Sequence, residues 1–166
     1  MKSKTSFFNL TVLRKDILRY SPIWALYTLL LLLTLFAYTD NSYSDKAVAL
    51  NTLDSLKPMA WINLLYGGAC GVFLFSDLFK SRLCNALHAF PLRREGWLAT
   101  HILSGVLFSL VPNLLAAGLG SFLLREYAYM ALIWLGATTL QYLFFFGTAV
   151  LCVVCTGNFL GMAAMY

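Results

Sequence analysis

Two charge-free stretches decide what this chain can fold into. Residues 127–155 contain no Asp, Glu, Lys, Arg or His, and residues 21–39 are equally free of charge. A helix needs about 20 largely apolar residues to cross the hydrocarbon core of a bilayer, and inside that core each peptide group must find its hydrogen-bond partner within the protein. A chain dominated by such runs folds as membrane helices. Only 11% of the residues are charged and 60% are apolar, whereas an ordinary soluble domain carries about 25% charged residues. Water-soluble globular, disordered, collagen-like and disulfide-scaffold classes are therefore excluded.

Four runs are expected to span the membrane: residues 21–39, 58–79, 97–124 and 127–155. The first two are entered by Pro22 and Pro58; proline is tolerated in a first helical turn, where its missing N–H would have had no acceptor. Asp77 and Lys80 mark the exit of the second run. In the third, Pro112-Asn113 predicts a kink and a freed carbonyl that a neighbouring polar group must satisfy. The fourth holds Gln141. Beyond Thr156-Gly157-Asn158 the sequence turns apolar again over residues 159–166, which is too short to cross a bilayer. These residues read as the start of a further span, and the chain as the N-terminal part of a longer protein. The expected fold is an all-α polytopic transmembrane helix bundle. Residues 1–166 form a single transmembrane domain of four spans plus the start of a fifth.

Basic residues set the orientation. Lys2, Lys4, Arg14, Lys15 and Arg19 precede the first run, and Lys80, Arg82, Arg93 and Arg94 lie between the second and third, so nine of the twelve Lys and Arg fall on one side. By the positive-inside rule that side is cytoplasmic, and the loop over residues 40–57, with Asp40, Asp45 and Asp54, is outside. The implied location is a plasma membrane, with the N-terminus in the cytoplasm. No small-x-small cleavage site follows the first run, so the start does not read as a removable leader.

Two cytoplasmic segments have amphipathic patterns. Within residues 1–20, Leu10, Leu13, Ile17 and Tyr20 recur at spacings of three and four while Arg14, Lys15, Asp16 and Arg19 fill the positions between. This is an interfacial helix whose basic face attracts anionic head groups, serving as an anchor for the first span or as a lever. Over residues 81–91, Leu83, Ala86, Leu87 and Phe90 share one helical face, with Arg82, Asn85 and His88 opposite, and Pro91 ends the helix. Arg93, Arg94, Glu95 and Gly96 then lead to Trp97 at the next interface. A plain connector between antiparallel helices needs about 2 to 8 residues. This longer amphipathic insert suits either docking in a partner's groove or rest on the membrane surface.

The remaining chemistry is sparse. Cys70, Cys84, Cys152 and Cys155 read as packing residues, since the C-x-x-C pair at 152 and 155 lacks a second pair or a nearby His. His88 and His101 stand on different elements without ligand partners at metal spacing, and His101 reads as a group that caps or bonds within the bundle. No metal or other cofactor is expected, and no nucleic-acid partner. There is no phosphate-cradling G-x-x-x-x-G-K-[ST] loop, no H-E-x-x-H helix and no paired acid within a span. The chain is expected not to be an enzyme. Asn63, Asn113, Gln141 and a few Ser and Thr are the polar residues inside the runs, expected to bond across helices. Gly67 and Gly71 provide G-x-x-x-G spacing for close helix packing, and Pro112 and Asn113 are assigned to packing as well.

The succession of a basic amphipathic helix, two apolar runs, Asn85-Ala86-Leu87-His88-Ala89-Phe90-Pro91-Leu92-Arg93-Arg94-Glu95-Gly96, then Ser104-Gly105 and Val111-Pro112-Asn113-Leu114 resembles bacterial ABC transporter permeases of the type-2, exporter-like class. Thr156-Gly157-Asn158 looks like that family's turn into its fifth span. The resemblance covers the front part of such a permease. It implies that residues 81–91 are a coupling helix, with Asn85, Leu87, His88, Phe90, Arg93, Arg94 and Glu95 touching an ABC ATP-binding subunit, and residues 13–20 a connecting helix. It also implies a second permease subunit, the same or different, a lipid bilayer as surroundings, and export driven by ATP hydrolysed on another chain. The alternative is a small four-span membrane scaffold or sensor-associated protein without transport activity.

Overall fold

A computed structural model of the chain describes residues 10–39, 45–76, 94–124, 128–156 and 159–166. All its described elements are α-helices: α1 (Leu10–Arg19), α2 (Ser21–Thr39), α3 (Asp45–Leu74), α4 (Arg94–Leu124), α5 (Ala128–Thr156) and α6 (Phe159–Met165).

Pro22 dictates the first boundary. It cannot donate to the Leu18 carbonyl and its ring crowds that turn, so α1 cannot run into α2 as one rod. The two helices diverge by 64°. Backbone bonds from Ile23 and Trp24 to the Tyr20 carbonyl carry the chain across the break, and the Trp24 indole donates to the Ile17 carbonyl at 3.3 Å.

Among the described residues, two helices are long and apolar enough to cross a membrane, Gly96–Phe122 within α4 and Ala128–Thr156. The bent pair α1–α2 makes a third if it is one span. Two or three of the four spans expected from the sequence are thus found among the described residues, and α3 is not one of them. Pro58, Asn63 and the glycines at 67, 68 and 71 dilute the apolar content of α3. That helix also begins well ahead of Pro58. Residues 45–57, expected as outer loop, are helical and continuous with the rest of α3, and Pro58 lies inside the helix rather than at its start. Residues 77–79, the end of the expected second run, and the stretch over 80–93 that holds the amphipathic insert lie outside the described residues.

The core joins α2, α3, α4 and α5, with the most extensive contact between α3 and α5. Tyr27, Leu31, Met59, Leu74, Phe75, Tyr142 and Val153 are among its fully buried side chains. Leu26, Leu29, Leu33 and Phe36 on α2 and Leu132, Leu140, Phe144 and Leu151 on α5 stay exposed, an outward apolar surface suited to lipid. At Gly67 an added Cβ would stand 3.0 Å from the Phe146 backbone nitrogen, and at Gly71 2.8 Å from the Ala149 Cβ. The lack of a side chain at these two positions lets α3 and α5 touch backbone to backbone. The short helix α6 packs on α5, and Tyr166 folds back so that its ring covers Gly68 and its hydroxyl donates to the Leu64 carbonyl.

Candidate functional site

The interior of the bundle holds a connected set of polar side chains. The Tyr27 hydroxyl from α2 offers its single proton to Asn63 Oδ1 at 2.8 Å and Asn113 Oδ1 at 3.2 Å. Asn63 Nδ2 on α3 donates to the Thr138 carbonyl and to Gln141 Oε1, both at 3.2 Å. Asn113 Nδ2 on α4 donates to Ser109 Oγ at 3.2 Å and Thr139 Oγ1 at 3.1 Å. Four helices therefore meet at one node, and Asn63, Asn113 and Thr138 are fully shielded there. Each amide uses both its oxygen and its nitrogen, which is what makes such groups tolerable inside an apolar bundle.

Beside the node runs an aromatic column. Tyr27 and Tyr66 stack in parallel with centroids 3.9 Å apart, Tyr66 leans on Tyr142 at 5.4 Å, and Tyr142 stacks on Phe146 at 5.6 Å. Two of these hydroxyls end on the backbone of α4. Tyr66 donates to the Phe108 carbonyl at 3.0 Å, and Tyr142 to the Gly105 carbonyl at 2.8 Å. Phe108 is the residue whose acceptor Pro112 leaves without an N–H, four positions on. Tyr66 thus replaces the missing rung, and α4 continues through Pro112.

Removing the Tyr66 hydroxyl is expected to strand that carbonyl. Tyr66→Phe should destabilise the protein by about 1 to 2 kcal/mol. In a Pro112→Ala background, where residue 112 bonds to Phe108 itself, the same change should have a smaller effect. Denaturation by sodium dodecyl sulfate in mixed micelles measures both; equal losses in the two backgrounds would refute the assignment.

A second polar cluster lies where α1 meets α4. His101 Nδ1 is 2.9 Å from Asp16 Oδ2, and both side chains are shielded, at 5% and 9% exposure. The two groups are in close polar contact, and His101 Nδ1 makes no aligned hydrogen bond there. Ser104 shares its hydroxyl proton between Asp16 Oδ2 at 3.2 Å and the Thr100 carbonyl at 3.0 Å. Trp97 and Phe75 wall the imidazole with ring centroids at 4.5 and 5.8 Å. Nearby, the Tyr20 hydroxyl donates to the Phe73 carbonyl at 2.7 Å. The α1–α2 junction, the last turn of α3 and the first turns of α4 therefore share one end of the bundle.

This cluster corrects the expectation that Asp16 belongs to the polar face of its helix. Asp16 is buried, and among the described side chains of α1 Arg14, Lys15, Leu18 and Arg19 remain outward. Its spacing of three from Leu13 and four from Tyr20 sets it beside the apolar stripe, but its residue type argues for the outer face, and its partner lies in another helix far along the chain.

Of the residues assigned to partner contact, Asn85, Leu87, His88, Phe90 and Arg93 lie outside the described residues; Arg94 and Glu95 open α4, with side chains that are not described. Gly67 and Gly71 sit at the α3–α5 contact, and Pro112 and Asn113 at the polar node and its replaced rung. Among the described residues no group of three His, Cys, Asp or Glu side chains is placed to hold a metal ion. No family model, curated protein or solved structure matches the chain.

Proposed function

We propose that this chain is the membrane-spanning permease subunit of an ATP-driven ABC transporter of the exporter-like class, set in a bacterial plasma membrane with its N-terminus in the cytoplasm. The observation that carries this reading is the segment Asn85 to Gly96, an amphipathic, proline-terminated and doubly basic phrase placed between two long helices. The chain has no nucleotide-binding loop of its own, so ATP is bound and hydrolysed on a separate subunit. Closure of that subunit's dimer moves the segment over residues 81–97, and the helices rock between access states as near-rigid bodies. A second permease subunit completes the membrane part.

Two features of the bundle support the reading. The basic helix α1 and the helix ends that flank residues 77–93 gather at one end, where a single partner can reach both. A ligand-driven motion requires a partner that contacts two states differently, and that end offers the surface for it. The polar node also joins four helices through bonds that can be exchanged rather than simply lost.

Purified from its native membrane, the full chain is expected to carry an ATP-binding subunit with vanadate-sensitive ATPase activity. The double variant Leu87→Asp/Phe90→Asp is expected to insert normally and to lose that subunit at least tenfold, because two anchors of the apolar face become charges. Undiminished co-purification with the variant would sink the proposal. A stable complex of the unaltered chain with no ATPase in it would favour the scaffold alternative.

A further inference from the structure

The burial of Asp16 changes the character of α1. With its acid turned inward, the described outer face of the helix carries Arg14, Lys15 and Arg19 around the exposed Leu18, and no negative charge. The opposite face is fixed: Asp16 meets His101 and Ser104, Tyr20 is held on the Phe73 carbonyl, and Ile17 packs on the core. Arg19 keeps its guanidinium 5.5 Å from the Tyr20 ring centroid, which restrains its stem while the head stays outward. The 64° bend turns α1 away from the axis of α2, so three cations and a leucine are presented beside the N-terminal end of α2.

We propose that this outer face of α1 binds anionic phospholipid headgroups, and that the buried Asp16–His101–Ser104 contact is what holds the face in that rotation. Charge complementarity selects the occupant. Three basic side chains within about two helical turns match phosphates spaced along a leaflet surface, and Leu18 between them enters the acyl boundary. A soluble protein partner would leave Leu18 no lipid to enter. The proposal needs only that α2 lies in the membrane, and stands whether or not an ATP-binding subunit is attached.

The test uses the full chain with its native cysteines replaced and a bimane probe on Leu18→Cys. The protein is held in nanodiscs of phosphatidylcholine with increasing phosphatidylglycerol. Probe emission is expected to saturate with phosphatidylglycerol, and neither more phosphatidylcholine nor inorganic phosphate should reproduce the change. Arg14→Gln, Lys15→Gln and Arg19→Gln should each weaken the response about fivefold, and the triple variant about a hundredfold. These positions are exposed, so the variants keep the fold. Asp16→His alone and His101→Asp alone each set like groups against one another and should cost at least tenfold. The exchange of both should recover the response to within threefold. A triple variant that responds like the parent, or inorganic phosphate that matches the lipid, would overturn the headgroup assignment. Single and exchanged variants that behave alike would overturn the role of the Asp16–His101 contact.

Discussion

Gly67→Leu is expected to prevent stable assembly of the bundle. Even a methyl at this position would stand 3.0 Å from the Phe146 backbone nitrogen and 3.2 Å from the Phe145 carbonyl carbon. Backbone cannot swing aside as a side-chain tip can, so α3 and α5, whose contact is the most extensive among the described elements, must separate to admit an isobutyl group. Overpacking of a well-filled interior costs about 1 to 3 kcal/mol when side chains can adjust, and this site belongs at or above the upper end. Gly105→Leu should behave similarly, since its Cβ would fall 2.1 Å from the Phe146 ring, which is buried and stacked on Tyr142. The control is internal. An added Cβ at Gly118, Gly136 or Gly147 meets nothing within 4 Å. Ala there should be neutral or raise stability by up to about 1 kcal/mol, through reduced backbone freedom in the unfolded chain. Yield of monodisperse protein and the midpoint of dodecyl sulfate denaturation report both sets. Equal tolerance of Leu at 67 and Ala at 118 would refute the close α3–α5 contact.

The second large effect is expected at Asn63. Asn63→Leu removes the bond accepted from Tyr27 and the two donated to the Thr138 carbonyl and Gln141. Interhelical hydrogen bonds in membranes contribute about 0.6 kcal/mol on average and up to about 1.7, so the three together amount to about 2 kcal/mol. Asn63→Asp should cost more although it is nearly the same size. An ionised carboxylate still accepts from Tyr27, but it turns the two donated bonds into oxygen facing oxygen, and it places a charge in a shielded position, for which insertion scales give about 2.5 to 3.5 kcal/mol. Denaturation midpoints ordered wild type, Leu, Asp from most to least stable are the expected result. An Asp variant as stable as the parent would show that the node is open to water.

Local signals in the sequence reach only part of this architecture. The long apolar runs mark α2, α4 and α5 because length and apolarity are properties of a segment by itself. Polar residues inside those runs are visible for the same reason. Which of them meet is not, since Tyr27, Asn63 and Asn113 come from three helices and their alignment depends on how the bundle closes. The tyrosines give no signal of their role, because their hydroxyls bond to backbone carbonyls that no residue type announces. The early start of α3 is hidden because Pro58 resembles a first-turn residue and the acids before it resemble a loop. A proline interrupts one bond and crowds one turn, and a helix with sufficient packing downstream can continue through it. Asp16 is misplaced by any pattern in which an amphipathic helix sends every charge outward.

The tyrosine bonds to Phe73, Gly105 and Phe108 share a property with consequences for how this sequence can drift. In each the donor is a phenol and the acceptor is main chain. Natural variation at positions 73 and 108 can thus change the side chain without touching the bond, as long as the replacement stays apolar and helical. Tyr20 and Tyr66 have no such latitude, and Gly105 is tied down by crowding. The stitching of this bundle is therefore one-sided, strict on the donor and permissive on the acceptor.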